Sequence, residues 1–248
     1  MFKRLLLFVM SLVVSVVASL GVTYLFVLRP LRRTWGVDPE ETGRELPGDD
    51  LVPDAQLVET RGIDILAPPS AVFPWLLQMG YGRGGWYSYD QMDKKNPSAD
   101  RVMPDLQHLE VGDVMPTWPG GGLIVRGIDP DRSLALYLDS DVVKAQQSAG
   151  EQAPDEAEAG GAKAWGGKGG ATMPEFKASW VFVLEPTEDG TGTRVIERLR
   201  AWTPDPATPH KLALPMFGVG IFLMTRKQLL GLKERVERHA ASAMGEAA

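Results

Sequence analysis

The chain has 248 residues, with 26 basic and 32 acidic side chains, a formal charge of −6 and no cysteine. Five of the basic residues (Lys3, Arg4, Arg29, Arg32 and Arg33) precede residue 34 and no acidic one does, so the remainder sets 21 basic against 32 acidic groups, near −11. Such a balance argues against nucleic-acid partners and broad adhesion to anionic headgroups, both of which need clustered Lys and Arg. The lack of cysteine excludes disulfides, thiolate chemistry and Cys-ligated zinc.

The first element is the uncharged, mostly apolar run of 24 residues from Leu5 to Leu28. About 20 helical residues cross a hydrocarbon core of about 30 Å. A secretory signal's apolar region runs only about 7–15 residues, so the expectation is an uncleaved single-pass anchor over residues 1–33. Three flanking cations lie downstream and two upstream, a margin that favours a cytoplasmic side for the following domain by the positive-inside rule and that the α-amino group of Met1 almost cancels. Thr34 to Pro53 is polar and rich in Asp, Glu, Gly and Pro, and reads as a juxtamembrane linker loosely packed on the domain. Residues 54–240 suffice for one domain with a sizeable core.

Ile63 and Ile65 alternate with Gly62 and Asp64, the period of a half-buried strand. Pro68 and Pro69 stop it, Ser70 stands at the expected helix N-cap, and Val72, Trp75 and Leu76 follow at helical spacing before Gly80. The glycines of the loop Gly80–Gly85 fit a tight turn better than a nucleotide loop, because no Gly-Lys-Ser/Thr follows. Trp86-Tyr87-Ser88-Tyr89-Asp90 combines rings with polar tips and suits either a ligand pocket wall or ordinary core packing. Asp90 is expected to pair with Arg101 or Arg83.

Further strands are predicted after Gly112-Asp113, over Leu123–Ile128, Ser133–Leu138 and Ser179–Glu185, and over Arg194–Trp202. Turns at Asp129-Pro130-Asp131 and Asp189-Gly190 make these an antiparallel meander. Ser179–Glu185 places Trp180, Phe182 and Leu184 on one face and Val181 and Val183 on the other. In the last strand Glu197 falls among Val195, Leu199 and Ala201. A buried carboxylate there would have a raised pKa and suit acid–base chemistry; the plainer expectation is a bulged strand with Glu197 solvated, or an arginine partner. Residues 145–171 are almost all small or polar, with Trp165 the one large apolar residue, and read as a mobile insert, or alternatively a lid. From Phe217 to His239 an amphipathic helix is predicted, with Ile221, Thr225, Leu229, Leu232 and Val236 on one face. Leu212–Met224, interrupted by Pro215, is too short for a second span and suits a buried helix start or an interfacial segment. Residues 241–248 form a disordered tail. His108, His210 and His239 lack metal-ligand spacing and there is no Gly-x-Ser-x-Gly elbow, so no metal and no cofactor are expected.

The stretch ILAPPSAVFPWLLQMGYGRGGWYSYD (65–90), followed by a meander and a terminal helix, resembles the START-like helix-grip superfamily (SRPBCC, polyketide cyclase/dehydratase-like) over residues 54–240. That resemblance implies an α+β fold, a curved antiparallel sheet wrapped around a long C-terminal helix. It also implies a cavity holding a hydrophobic small molecule or lipid. Trp86, Tyr87, Tyr89 and Trp180 are the ligand-binding candidates. An enzyme of the cyclase or dehydratase kind would use Glu197 and Asp90, with Tyr87 and Tyr89, for proton transfer. A third reading is a non-catalytic interaction domain with a filled cavity.

Overall fold

A computed structural model describes residues 2–91, 97–150, 175–204 and 208–246; residues 2, 5–7, 150, 208–217 and 243–246 are described as backbone only. Helix α1 (Phe2–Thr23) runs through a π-helical stretch (Tyr24–Leu28) into α2 (Arg29–Arg33). Residues Phe8–Arg33 form one helical segment long and apolar enough to cross a membrane, with a mean hydropathy of 2.2. Phe8, Val14 and Leu20 stand exposed along it.

Six strands follow: β1 (Leu57–Ile65), β2 (Val114–Trp118), β3 (Gly121–Asp129), β4 (Ser133–Asp139), β5 (Lys177–Pro186) and β6 (Thr193–Trp202). They form one antiparallel sheet in the order β1-β6-β5-β4-β3-β2, so β2 to β6 is a meander and β1 closes on its last strand. Register shifts at Pro116/Trp118 and Val125/Gly127 bend the β2–β3–β4 end. The remaining helices are α3 (Pro39–Gly43), α4 (Pro69–Leu77), α5 (Ser140–Gly150) and the long α6 (Thr208–Glu246). A curved antiparallel sheet closed around one long C-terminal helix is the helix-grip fold, as the order of sequence signals predicts.

Alternation decides what each face of the sheet meets. Leu134, Leu136, Phe182, Leu184, Val195 and Ile65 face inward and pack with Trp75, Leu76 and Met79 of the α4 region and with Leu229, Leu232 and Val236 of α6. At about 25 cal/mol per Å² of apolar surface, this layer is the main source of stability. The loop after α4 is seated on α6 where Gly231 has no side chain: a Cβ there would overlap the Tyr87 carbonyl. Tyr87 itself takes a left-handed φ of 56°.

The outer face is also covered, which corrects the expectation of a loose linker. Leu46 packs with Ala135, Val181, Val183 and Ile196 in a second apolar cluster, with Leu51 beside it. Outward-pointing arginines of β6 then hold the segment. Arg198 donates to Asp49 Oδ2 at 2.6 Å and to the Glu41 and Arg44 carbonyls. Arg194 grips the Glu41 carboxylate through two nitrogens at 2.7 and 2.8 Å. Arg200 donates to the Val52 carbonyl at 3.1 Å. Helix α3 starts with a capping box between Asp38 and Glu41. A polar composition concealed this docking because its partners are carbonyls and carboxylates rather than an apolar stripe.

Other details differ from expectation. The N-cap of α4 is Pro68, with Pro69 at the first helical turn, because the fixed proline φ is already helical; Ser70 lies inside the helix. The insert expected over 145–171 begins later, since α5 extends to Gly150 and its Gln146 exchanges two hydrogen bonds with Gly122 of β3. Residues 151–171, with Trp165 and the expected mobility or lid, lie outside the described residues. The tail expected to be disordered over 241–248 is helical as far as Glu246, because the last helix runs on past His239; residues 247 and 248 lie outside the described residues. Helix α6 starts at Thr208 rather than Phe217.

Candidate functional site

At the end of the grip nearest α2 the inward face changes from apolar to charged. Glu59 and Arg61 of β1 and Glu197 of β6 are each at most 1% exposed, and Arg32 at the end of α2 is 5% exposed. They are joined in a row. Arg32 Nη1 lies 3.1 Å from Glu59 Oε1, Arg61 Nη2 bonds Glu59 Oε2, and Arg61 Nη1 lies 3.8 Å from Glu197 Oε1. Trp180 on β5 donates its indole N–H to the same Glu197 oxygen at 2.7 Å. The Phe222 ring of α6 lies 5.7 Å from the Arg61 guanidinium carbon. Access for Arg32 depends on Gly218, where any Cβ would overlap its guanidinium.

Burial disfavours a charged carboxylate and pushes Glu197 upward; Arg61 and the Trp180 N–H oppose the shift. The strand is neither bulged nor solvated here, because Arg61 and Glu197 are direct register partners; of the plainer expectations, the arginine partner is the one found. The row leaves hydrogen-bonding capacity unspent. Arg32 Nε, Arg61 Nε and Glu197 Oε2 are buried without a hydrogen-bond partner. Leaving one such group unmatched costs about 1–3 kcal/mol.

Above the charges stands an aromatic pair. Trp86 and Trp180 stack with centroids 5.8 Å apart and planes at 26°, and Trp180 also meets Phe182 at 5.1 Å. Both tryptophans are half-buried, as is Leu138. The structure thus gathers Trp86, Trp180 and Glu197 into one place.

Tyr87, Tyr89 and Asp90 stand apart from it. Tyr87 is buried, donates its hydroxyl to the Trp75 carbonyl at 2.9 Å, and meets the Trp75 ring edge-on at 5.7 Å. Burial holds that hydroxyl well above the usual phenol range. Tyr89 is 40% exposed. Asp90 does not pair with Arg101 or Arg83: it accepts from Ser98 Oγ at 2.5 Å and lies 3.6 Å from Arg235 Nη2, because the loop folds back onto α6. Arg83 instead donates to the Leu77 and Leu106 carbonyls. Among the described residues no group of three or more His, Asp or Glu side chains is arranged to hold a metal.

The residues that sequence reasoning missed are Arg32, Glu59 and Arg61. Glu59 and Arg61 carried a usable signal, since they continue the inward alternation of Ile63 and Ile65. A separate groove of about 760 Å³ lies at the β3–β4 turn, lined by Arg44, Leu46, Pro69, Arg132, Val183 and Glu185 among others, and contains none of the predicted site residues.

No family model and no curated protein sequence matches the chain. Solved structures similar to it include protein MLL2253 from Mesorhizobium loti, at 12% identity over 73% of this chain and 98% of that one, with a TM-score of 0.32. The Aha1 dimer from Colwellia psychrerythraea gives 15% identity, 73% and 97% coverage and a TM-score of 0.33. A polyketide-cyclase-like protein from Corynebacterium glutamicum gives 16%, 75% and 93%, with a TM-score of 0.28.

Proposed function

We propose that this protein is a membrane-anchored helix-grip domain that binds a hydrophobic small molecule or lipid, and hands it on, at the charged end of its grip. The observation that carries this reading is the half-buried Trp86–Trp180 stack set directly over buried Glu197, with Arg61 and Glu59 behind it. Stacked rings suit the apolar body of an amphiphile, and a few convergent polar groups with unspent hydrogen bonds suit its polar end. Residues 5–28 would hold the domain beside the bilayer and raise the local concentration of a membrane-derived ligand.

The test is native mass spectrometry of the full chain released from lipid nanodiscs, followed by extraction and identification of any retained small molecule. The reading expects a retained amphiphile that is lost in Trp86→Ala and Trp180→Ala variants that still fold. A ligand-free mass after incubation with a total lipid extract would overturn it.

One observation favours a second reading, proton-transfer catalysis. Glu197 is a buried carboxylate that burial pushes upward, beside the Trp180 indole and the Arg61 guanidinium, and a carboxyl so placed can hold or give a proton. Ligand binding that survives Glu197→Gln, with turnover abolished, would separate the enzyme from the carrier.

A further inference from the structure

Helix α6 carries one stripe whose chemistry changes abruptly along its length. Gly220, Leu223, Met224 and Lys227 follow at the spacing of a single helical face, which later reaches Glu234 and Arg238. Leu223 and Met224 are each 48% exposed. From Leu212 to Thr225 the sequence holds no charged residue; from Arg226 onward the exposed side is charged.

The apolar part of this stripe lies beside the end of the apolar N-terminal helix. Arg32, in the last turn of α2, reaches under α6 at Gly218, within contact distance of that glycine's backbone. Trp35 follows and lies 5.1 Å beneath the Arg226 guanidinium, where the α6 stripe turns from apolar to charged. Trp35 also accepts from Gly62 N of β1 at 3.0 Å, so the exit of the helix is bonded to the sheet as well. Arg29 and Arg33 stand beside Arg32 on α2, and Arg226 and Lys227 directly follow the apolar stretch of α6. A tryptophan and cations at the edge of an apolar surface is the composition of a membrane interface.

We propose that the exposed apolar side of α6 from Gly218 to Met224 rests in the surface of the same bilayer that α1 crosses. It forms a second membrane contact, opening the Trp86–Trp180 end of the grip toward lipid. The proposal rests on the reading of residues 5–28 as an anchor and deepens the ligand reading by naming the bilayer as the source. The loop after α4 reaches the same stretch of α6, where Ser88 donates to the Met224 carbonyl at 2.9 Å.

The natural absence of cysteine allows a direct test on the full chain. Single variants Leu223→Cys, Arg238→Cys and Val14→Cys are labelled with a fluorophore and reconstituted in phosphatidylcholine vesicles, part of whose lipid carries a nitroxide on the acyl chain. The label at position 223 is expected to be quenched several-fold more than the label at 238, and comparably to the label at 14. Quenching at 14 but not at 223 would overturn the second contact and leave the anchor standing. Quenching at neither would overturn both. A label at 223 that is shielded yet unquenched, in a chain of dimeric mass, would overturn the proposal in favour of a second copy as the occupant.

Discussion

Arg61 and Glu197 face each other across the β1–β6 ladder, both fully buried, with Glu59 on the far side of the arginine and Trp180 on the far side of the glutamate. Neither side chain reaches solvent, so each relies on the other groups in the row. Removing one partner of a buried pair leaves an uncompensated charge and costs about 3–5 kcal/mol. Arg61→Ala is therefore expected to lower the unfolding free energy by that order. Glu197→Gln, which keeps an oxygen for the Trp180 N–H, is expected to cost much less. Denaturant unfolding of the full chain in detergent measures both, and equal losses would remove the distinction between them.

The same glutamate fixes a pH dependence. Its folded pKa is raised, so between the ordinary glutamate value of about 4.3 and its folded value the native state holds a proton that the unfolded chain has lost. Stability contributed by this group is complete below about 4.3 and declines as pH rises through that window. Glu41 acts in the other direction: Arg194 holds its carboxyl low, and its contribution disappears as pH falls. Comparing wild type with Glu197→Gln isolates the first effect. The stability of the variant relative to wild type should rise from acid toward neutral pH and then stay constant, whatever the offset that the lost contacts impose. A difference independent of pH would mean that Glu197 titrates normally in the folded protein.

Much of this fold was legible in the sequence, because two-residue alternation and turn chemistry are local signals. The five meander strands and the amphipathic face of α6 follow from them. The pairing of Glu197 was not legible in detail, because register between β1 and β6 decides which residue lies opposite, and Arg61 is far away in sequence. The clasp of 34–53 is hidden in the sequence for a related reason: its partners, Arg194, Arg198 and Arg200, become a ladder only once the sheet puts every second residue of β6 outward. The partners of Asp90 are hidden too, because Ser98 and Arg235 reach it through a fold-back of the loop that sequence distance does not encode.

That clasp predicts a protease phenotype. Arg198→Met removes donors to Asp49 and to the Glu41 and Arg44 carbonyls at once, leaving buried acceptors unmatched. Residues 34–53 should then become a site of rapid limited proteolysis, while the core stays resistant. Unchanged digestion kinetics would show that Leu46 and Leu51 hold the segment without the arginine.

The last prediction turns on two glycines of α6 only two residues apart. Gly218 has the Arg32 guanidinium where a Cβ would go, whereas nothing lies within 4 Å of a Cβ at Gly220. In an exposed helix interior, Gly→Ala is stabilising by about 1 kcal/mol through propensity. Gly220→Ala should show that gain. Gly218→Ala receives the same propensity benefit but must expel Arg32 from its contact with Glu59, stranding a buried carboxylate, so its net effect should be destabilising. Combining Gly218→Ala with Arg32→Ala separates space from charge: the methyl then has room, and its further cost should shrink toward zero. Thermal unfolding of the three variants beside Arg32→Ala alone measures this coupling, and strict additivity of the two substitutions would refute the contact between α2 and α6.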